Sequence, residues 1–161
     1  MKPAIESLLE PAQGYFDLGL FHDAWEALDE LEPTVRAHPK TLSLRLDILY
    51  ALGRWEDAAA LGAGCCRNWS NYEDFFVKTS SALIRLKDHK NARELLLGAP
   101  ERMRSLPDYH YILARCEARL GLIREAKASL AECFDRDKSY RQRALDEPDL
   151  ESVWESLPKE K

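Results

Sequence analysis

The stretch Leu52-Gly53-Arg54-Trp55-Glu56-Asp57-Ala58 has three counterparts elsewhere in the chain, at residues 18–24, 86–92 and 120–126. The alanine that closes each copy recurs every 34 residues, at Ala24, Ala58, Ala92 and Ala126. A fixed period of this length is typical of repeat proteins in which each repeat is a helix–turn–helix pair. The sequence therefore predicts an array of four helix pairs.

The repeated stretch has a simple local interpretation. The leucine ends one helix, the glycine takes up the left-handed backbone conformation that closes it, and an apolar residue begins the next helix. The third copy has Lys87 in the glycine position. A side chain there costs about 1 kcal/mol or more, so this turn is expected to differ from the others or to be less stable.

These features resemble the tetratricopeptide repeat (TPR) family: the Leu-Gly-x-aromatic-x-acidic-Ala unit, the 34-residue period, and Pro39 and Pro107 near repeat ends. The resemblance covers about residues 5 to 137. It implies an all-α fold, a right-handed α-solenoid of helix–turn–helix repeats (a TPR-like superhelix). The expected organisation is a single domain, 1–161, with repeats at about 5–37, 38–70, 71–104 and 105–137, and a capping helix and tail at 138–161.

Helix-breaking residues give expectations for individual helices. Pro11 and Gly14 are unfavourable inside a helix, so the first helix is expected to start near Pro11 or to be kinked there. The second helix is expected to run from Phe21 to about Val35. Gly62 is expected to make room for the aromatic rings of the next repeat, those of Tyr72, Phe75 and Phe76.

The end of the chain is expected to close the array, because repeat arrays need a terminal cap with one polar face. Tyr140, Ala144 and Leu145 are predicted to pack inward, and a turn and short helix after them to be anchored by Leu150 and Trp154. Residues 158–161 are expected to be frayed.

Composition limits the classes of ligand. The net charge is −5, and residues 1–68 alone carry 6 Lys/Arg against 11 Asp/Glu, also −5. Nucleic-acid-binding proteins usually carry a basic stripe, so neither DNA nor RNA is the expected partner. No apolar run approaches the roughly 20 residues of a membrane span, and the first residues lack the apolar core of a signal peptide. With four cysteines and no export signal, the predicted location is cytoplasmic.

No residue pattern indicates catalysis, a metal or a cofactor. Cys65 and Cys133 occupy one column of the repeats and are interpreted as small core residues, and the vicinal pair Cys65-Cys66 lacks metal-ligand spacing. His89 stands where the other repeats start a helix with an apolar residue, so it is predicted to be partly buried. We therefore predict that the protein is not an enzyme.

In TPR proteins the first helix of each repeat lines the concave groove, and this implies a binding surface here. The resemblance assigns twelve partner-binding candidates by register: Phe16, Leu44, Asp47, Tyr50, Val77, Lys78, Ser81, Ile84, Arg85, Tyr111, Arg115 and Arg119. The apolar members would form a stripe for a peptide or helix, with Tyr50, Ile84 and Tyr111 exposed, and the arginines could orient an acidic ligand. Alternatively, some of these side chains pack against the neighbouring repeat or are only solvated charges.

Several functions follow from this resemblance. Family members that hold chaperone carboxyl termini use a clamp of Lys, Asn and Arg, but the matching columns here hold Leu9, Gln13, Leu44, Asp74 and Lys78, so a chaperone-tail receptor is not expected. The predicted function is a protein–protein interaction module that binds a peptide or helix of a partner. The main alternative is a structural or self-associating scaffold, such as a homodimer, paired through exposed apolar surface or through the first helix around Pro11. Helical-repeat RNA binding is a further, less favoured alternative.

Overall fold

The structure is a computed structural model that describes residues 1–159, and within these residues it contains helices and no strands. The last two positions of the predicted tail, Glu160 and Lys161, lie outside the described residues. The α-helices are, in order, α1 (Ile5–Asp17), α2 (Phe21–Asp29), α3 (Pro33–Arg36), α4 (Pro39–Ala51), α5 (Trp55–Asn68), α6 (Glu73–Arg85), α7 (His89–Leu97), α8 (Pro107–Arg119), α9 (Ile123–Arg136), α10 (Tyr140–Leu145) and α11 (Glu151–Glu155). Short 3₁₀ helices occupy Glu101–Ser105 and Pro148–Leu150.

The four predicted turns share one backbone conformation. Gly19, Gly53 and Gly121 have φ values of 75°, 70° and 76°, and Lys87 has a φ of 60°. The amide of Lys87 donates to the carbonyl of Ile84, and the next amide donates to Leu83, which reproduces the pattern at Gly53. The expectation that this turn differs is therefore wrong. Asp88 compensates locally, because its carboxylate caps α7 by accepting from the amide of Asn91 at 3.2 Å.

Two of the helix boundaries differ from those predicted. Helix α1 begins at Ile5, well before Pro11, so the late start predicted for it is wrong. Pro11 is exposed, and the carbonyl that loses its helical hydrogen-bond donor there belongs to Ser7, which is exposed too. The helix predicted from Phe21 to Val35 is instead divided, because α2 ends at Asp29 and Pro33 begins α3.

The chain divides into two compact units, an N-terminal unit (Met1–Ala82) and a C-terminal unit (Leu83–Lys161), and the boundary falls inside α6. In the N-terminal unit, α1, α2 and α4 enclose a core whose buried members are Leu9, Ala12, Ala24, Leu28, Leu44 and Ile48.

Gly62 on α5 lies against α6, as predicted, but its neighbour is Thr79. An ideal Cβ at Gly62 would lie 2.0 Å from the Thr79 Oγ1 atom. The expectation that the glycine makes room for aromatic rings therefore names the wrong side chain. The reason is register, since Thr79 is the residue that points at α5 here.

The C-terminal unit is closed by its own tail. Helix α8 packs against α7, α9, the 3₁₀ helix at Pro148–Leu150 and α11. Leu150 and Val153 are fully buried, and the Trp154 indole donates to the carbonyl of Ala144 at 3.1 Å. The predicted anchoring by Leu150 and Trp154 is confirmed, whereas Leu145 is 59% exposed and the expectation that it packs inward is wrong.

Candidate functional site: a groove on the first helices

The N-terminal unit carries two adjacent open depressions along α1, α4 and α6, and we call them together the N-terminal groove. The first has a volume of about 340 Å³ and the second about 250 Å³. Asp47 lines both. The first is lined by Glu6, Leu9, Glu10, Gln13, Lys40, Ser43, Leu44 and Asp47, and the second by Leu46, Asp47, Tyr50, Val77, Lys78 and Ser81. Six of the twelve predicted binding residues therefore lie in this groove.

A hydrogen-bonded cluster around Lys78 joins α4 to α6 inside the groove. The Lys78 Nζ atom donates to Ser43 Oγ at 2.6 Å and to Asp47 Oδ2 at 2.9 Å. It also forms an ion pair with Asp74 at 3.0 Å, and the Ser43 hydroxyl donates to the same carboxylate. The charge of Lys78 is thus met by two carboxylates of its own chain.

Desolvation acts on one member of this cluster, Asp47. Burial raises the pKa of Asp47 above its ordinary value, and this effect exceeds the opposing effect of the Lys78 ammonium. A carboxylate whose charged form is disfavoured by burial gains most from an added cationic partner. Asp47 is therefore well placed to receive a basic group from a ligand.

The apolar candidates of the N-terminal unit differ in exposure. Tyr50 is 37% exposed, as predicted, and Val77 is half-buried beside it. Leu44 is only 5% exposed and forms part of the groove floor. Phe16 belongs to the core, where its ring lies 5.3 Å from that of Phe21 and in a tilted orientation. The groove side of this unit therefore presents one exposed aromatic ring, Tyr50, above an apolar floor.

The apolar candidates of the C-terminal unit are buried. Tyr111 is fully buried and Ile84 is 9% exposed, so the predicted exposure of both is wrong. The tail covers Tyr111: its ring lies 5.3 Å from that of Tyr140, with the guanidinium of Arg143 4.8 Å from the ring centre. The 34-residue period could have indicated this burial, because the tail stands one period after α8, where the first helix of a further repeat would pack.

Two of the three arginines that were predicted to orient an acidic ligand are paired with carboxylates that the sequence reasoning missed. Arg115 contacts Asp149 at 2.9 Å and Glu147 at 3.5 Å. Arg119, whose side chain is 46% exposed, lies 3.7 Å from the same aspartate. Asp149 follows Arg115 by 34 residues, so the period itself places the two side chains on adjacent helices. Of the predicted arginines, Arg85 is exposed on α6.

The remaining chemistry-bearing residues are parts of the packing. Cys65, Cys66, Cys116 and Cys133 are buried free thiols, and desolvation raises the pKa of Cys65 to about 11 and that of Cys116 to about 12. Such thiols are not reactive nucleophiles. In residues 1–159 no group of three His, Cys, Asp or Glu side chains is placed to hold a metal ion. None of the helices in this described part is long and apolar enough to cross a membrane.

The fold and groove define an all-α helical-repeat protein of the TPR-like α-solenoid class. The chain is similar to the solved structure of MamA from residue 41 to its end from Desulfovibrio magneticus RS-1, with a TM-score of 0.77, 16% identity, and coverage of 96% of this chain and 92% of that one. It is also similar to a MamA RS-1 double mutant, with a TM-score of 0.76, 15% identity, and coverage of 96% and 95%.

At these identities the similarity shows the fold alone. No protein-family description matches the sequence. A search of curated proteins finds no significant relative.

Proposed function

We propose that this chain is a TPR protein that acts as a protein-interaction module, and that the N-terminal groove binds a peptide or helix of a partner protein. The observation that carries the proposal is the pair of adjacent depressions on the first helices, with Tyr50 exposed above an apolar floor. Exposed aromatic anchors in grooves supply much of the affinity in such interfaces. The ammonium group of Lys78 is already paired with two carboxylates, so the cluster favours a partner segment other than an acidic tail.

The charge of the groove favours a partner segment that carries Lys or Arg beside an apolar side chain. Lys78 is already paired with Asp47 and Asp74, and Lys40 is paired with Glu6. Glu10 lines the groove as a further exposed carboxylate. Four carboxylates thus stand against two ammonium groups, and complementary charge fixes register and speeds association. A reducing compartment such as the cytoplasm suits the proposal, because all four thiols are free.

The experiment is a selection of displayed peptides on the full chain, followed by calorimetric titration of an enriched peptide. The test variant is Tyr50→Ala, and the matched control is Tyr15→Ala, because the two tyrosines are 37% and 41% exposed and only Tyr50 lines the groove. We expect Tyr50→Ala to weaken binding about tenfold or more, the loss of one aromatic anchor, and Tyr15→Ala to leave it unchanged. Equal affinities for the two variants would contradict the proposal.

A further inference from the structure

Helix α1 has a side without charge that faces away from both the core and the groove. We call it the outer face of α1 and define it as Ala4, Ser7, Leu8, Pro11, Gly14, Tyr15 and Leu18. At 3.6 residues per turn these seven positions fall within an arc of about 120°. The charged residues of the helix, Glu6, Glu10 and Asp17, lie on the groove side. In a chain in which 32% of residues are charged, a face of this length without charge is unusual.

The same columns are buried in the later repeats. Thirty-four residues on, Thr41, Arg45 and Ile48 are 0%, 8% and 0% exposed, and the Arg45 guanidinium lies 4.3 Å from the Trp25 ring centre of the preceding repeat. In the fourth repeat, Tyr109 and Glu117 are 3% exposed. They contact the preceding helix α7, through a hydrogen bond from Tyr109 to the Leu96 carbonyl at 3.1 Å and an ion pair of Glu117 with Arg93 at 3.5 Å. This side of a first helix is thus a packing surface.

On α1 this packing surface is open. Tyr15 is 41% exposed and Leu18 is 76% exposed, and nothing lies within 4 Å of an added Cβ at Gly14. Leu20, just beyond the helix, is 45% exposed. Apolar side chains at the spacing of residues 8, 11, 15 and 18 form the kind of seam through which one helix packs on another.

We propose that the outer face of α1 binds the same face of a second copy of this chain, forming a twofold-symmetric dimer with the two α1 helices antiparallel. The charge pattern permits a second copy to approach at this face. Each copy carries a net charge of −5, and like charges oppose approach elsewhere on the surface. The outer face itself carries no charged side chain, so two copies can meet along it without placing like charges opposite each other there.

Shape favours a second copy. A recess of about 580 Å³ lies at the beginning of α1, with apolar side chains that include Ile5, Leu8 and Val35 and a polar rim of Lys2, Glu32, Thr34 and His38. In an antiparallel pair the end of one α1 helix lies beside the beginning of the other, so the exposed Leu18 of one copy is brought to the recess of its partner. Pro11 then lies near the twofold axis, and the small residues Ser7 and Gly14 let the two backbones approach closely. A surface that supplies both a protruding side chain and its recess is self-complementary, as a twofold interface requires.

The extent of the surface predicts a reversible dimer. The outer face has seven residues, fewer than the roughly 20–30 residues a side of a standard stable interface. The test is therefore sedimentation equilibrium of the full chain from about 1 μM to about 1 mM. We expect the weight-average mass to rise from 18.5 kDa toward twice that value over this range. A mass that stays at the monomer value throughout would overturn the proposal and leave the face to a different protein.

The variant Leu18→Glu locates the interface, with Leu145→Glu as a matched control, because both leucines are exposed (76% and 59%) and the change in charge is identical. We expect Leu18→Glu to keep the chain monomeric over the same range, and Leu145→Glu to dimerise as the wild type does. Equal loss of the dimer in the two variants would overturn the proposal, because the dimer would then respond to charge and not to this face.

A cross-link tests the antiparallel arrangement independently. The four native cysteines are buried, so Pro11→Cys introduces one exposed thiol near the predicted twofold axis. Mild oxidation should convert most of this variant to a disulfide-linked dimer. The control Gln13→Cys, on the groove side of the same helix, should remain largely monomeric. Equal cross-linking of the two variants would contradict the arrangement.

Discussion

The outer face of α1 and the last helix pair of the C-terminal unit, α8 and α9, belong to the same kind of repeat, but only the last pair is covered by a further layer of chain. In the C-terminal unit, α10, the 3₁₀ helix at Pro148–Leu150 and α11 pack onto α8 and α9. They bury Tyr111, Leu130 and Cys133. No part of residues 1–159 covers the outer face of α1 in this way, and Leu18 is the most exposed leucine among them. The comparison shows that burial in a repeat protein depends on the neighbouring layer as well as on the repeat.

We call the side of the C-terminal unit that the tail covers the covered end, and the outer face of α1 the open end. The largest effect expected from this comparison comes from shortening one leucine at each of these ends. Leu150 is fully buried in the covered end, so Leu150→Ala should destabilise the protein by about 2–4 kcal/mol, through lost burial and the cavity left behind. Leu18→Ala at the open end should change the free energy of unfolding by no more than about 0.5 kcal/mol. Urea denaturation at low protein concentration measures both. Similar losses for the two variants would show that the open face is covered in the monomer.

Replacing glycine by alanine should change the stability of the protein in opposite directions at Gly62, which is packed against α6, and at Gly14, which is open. Gly62→Ala places a Cβ on the buried Thr79 and should destabilise the protein by about 1–3 kcal/mol, because a β-branched neighbour in a packed core cannot move cheaply. Gly14→Ala meets no atom within 4 Å and should stabilise α1 by up to about 1 kcal/mol. Thermal denaturation of the two variants beside the wild type measures both changes. A loss of stability in Gly14→Ala would mean that the outer face is packed.

The sequence period predicts the helices and the turns well, because each is determined by a few local residues. Gly19, Gly53 and Gly121 close helices as predicted. Lys87 shows the limit, because it adopts the same left-handed conformation as the three glycines, with a φ of 60°, although it carries a side chain. Tyr111 and Arg115 show a second limit. Their burial and pairing depend on the tail, whose Pro148 interrupts what would otherwise read as a fifth first helix, so the register had to be followed past the last complete repeat.

Ion pairs at the two ends should also differ in strength. Arg115 is held by two contacts to Asp149, at 3.0 and 2.9 Å, and both side chains are about one-fifth exposed. Arg115→Ala should therefore cost about 1–3 kcal/mol, as expected for charged hydrogen bonds shielded from water. The matched change at α1 is Lys40→Ala, which breaks an exposed pair with Glu6 and should leave stability unchanged. Urea denaturation at low and high salt distinguishes them, and a strong effect of salt on Arg115→Ala would place that pair in solvent.

The smallest effect is the pH dependence contributed by His89, which lies at the covered end. His89 is 8% exposed and neither ring nitrogen has a hydrogen-bond partner in the described residues. Burial lowers its pKa, with Arg119 and Arg115 acting in the same direction and the carboxylates of Asp149 and Asp88 opposing them. Because the unfolded chain then binds the proton more tightly than the folded one, stability should fall as the pH drops through the ordinary histidine range, at about 6.5.

His89→Phe restores the aromatic residue that begins α2 at the same position of the first repeat, Phe21. The difference in unfolding free energy between this variant and the wild type should therefore grow as the pH is lowered from 7.5 to 5.5, about one unit to either side of the ordinary value. His22→Phe, an exposed position on α2, serves as the control. A difference that is independent of pH would mean that His89 finds a partner when protonated, and that the covered end tolerates the charge.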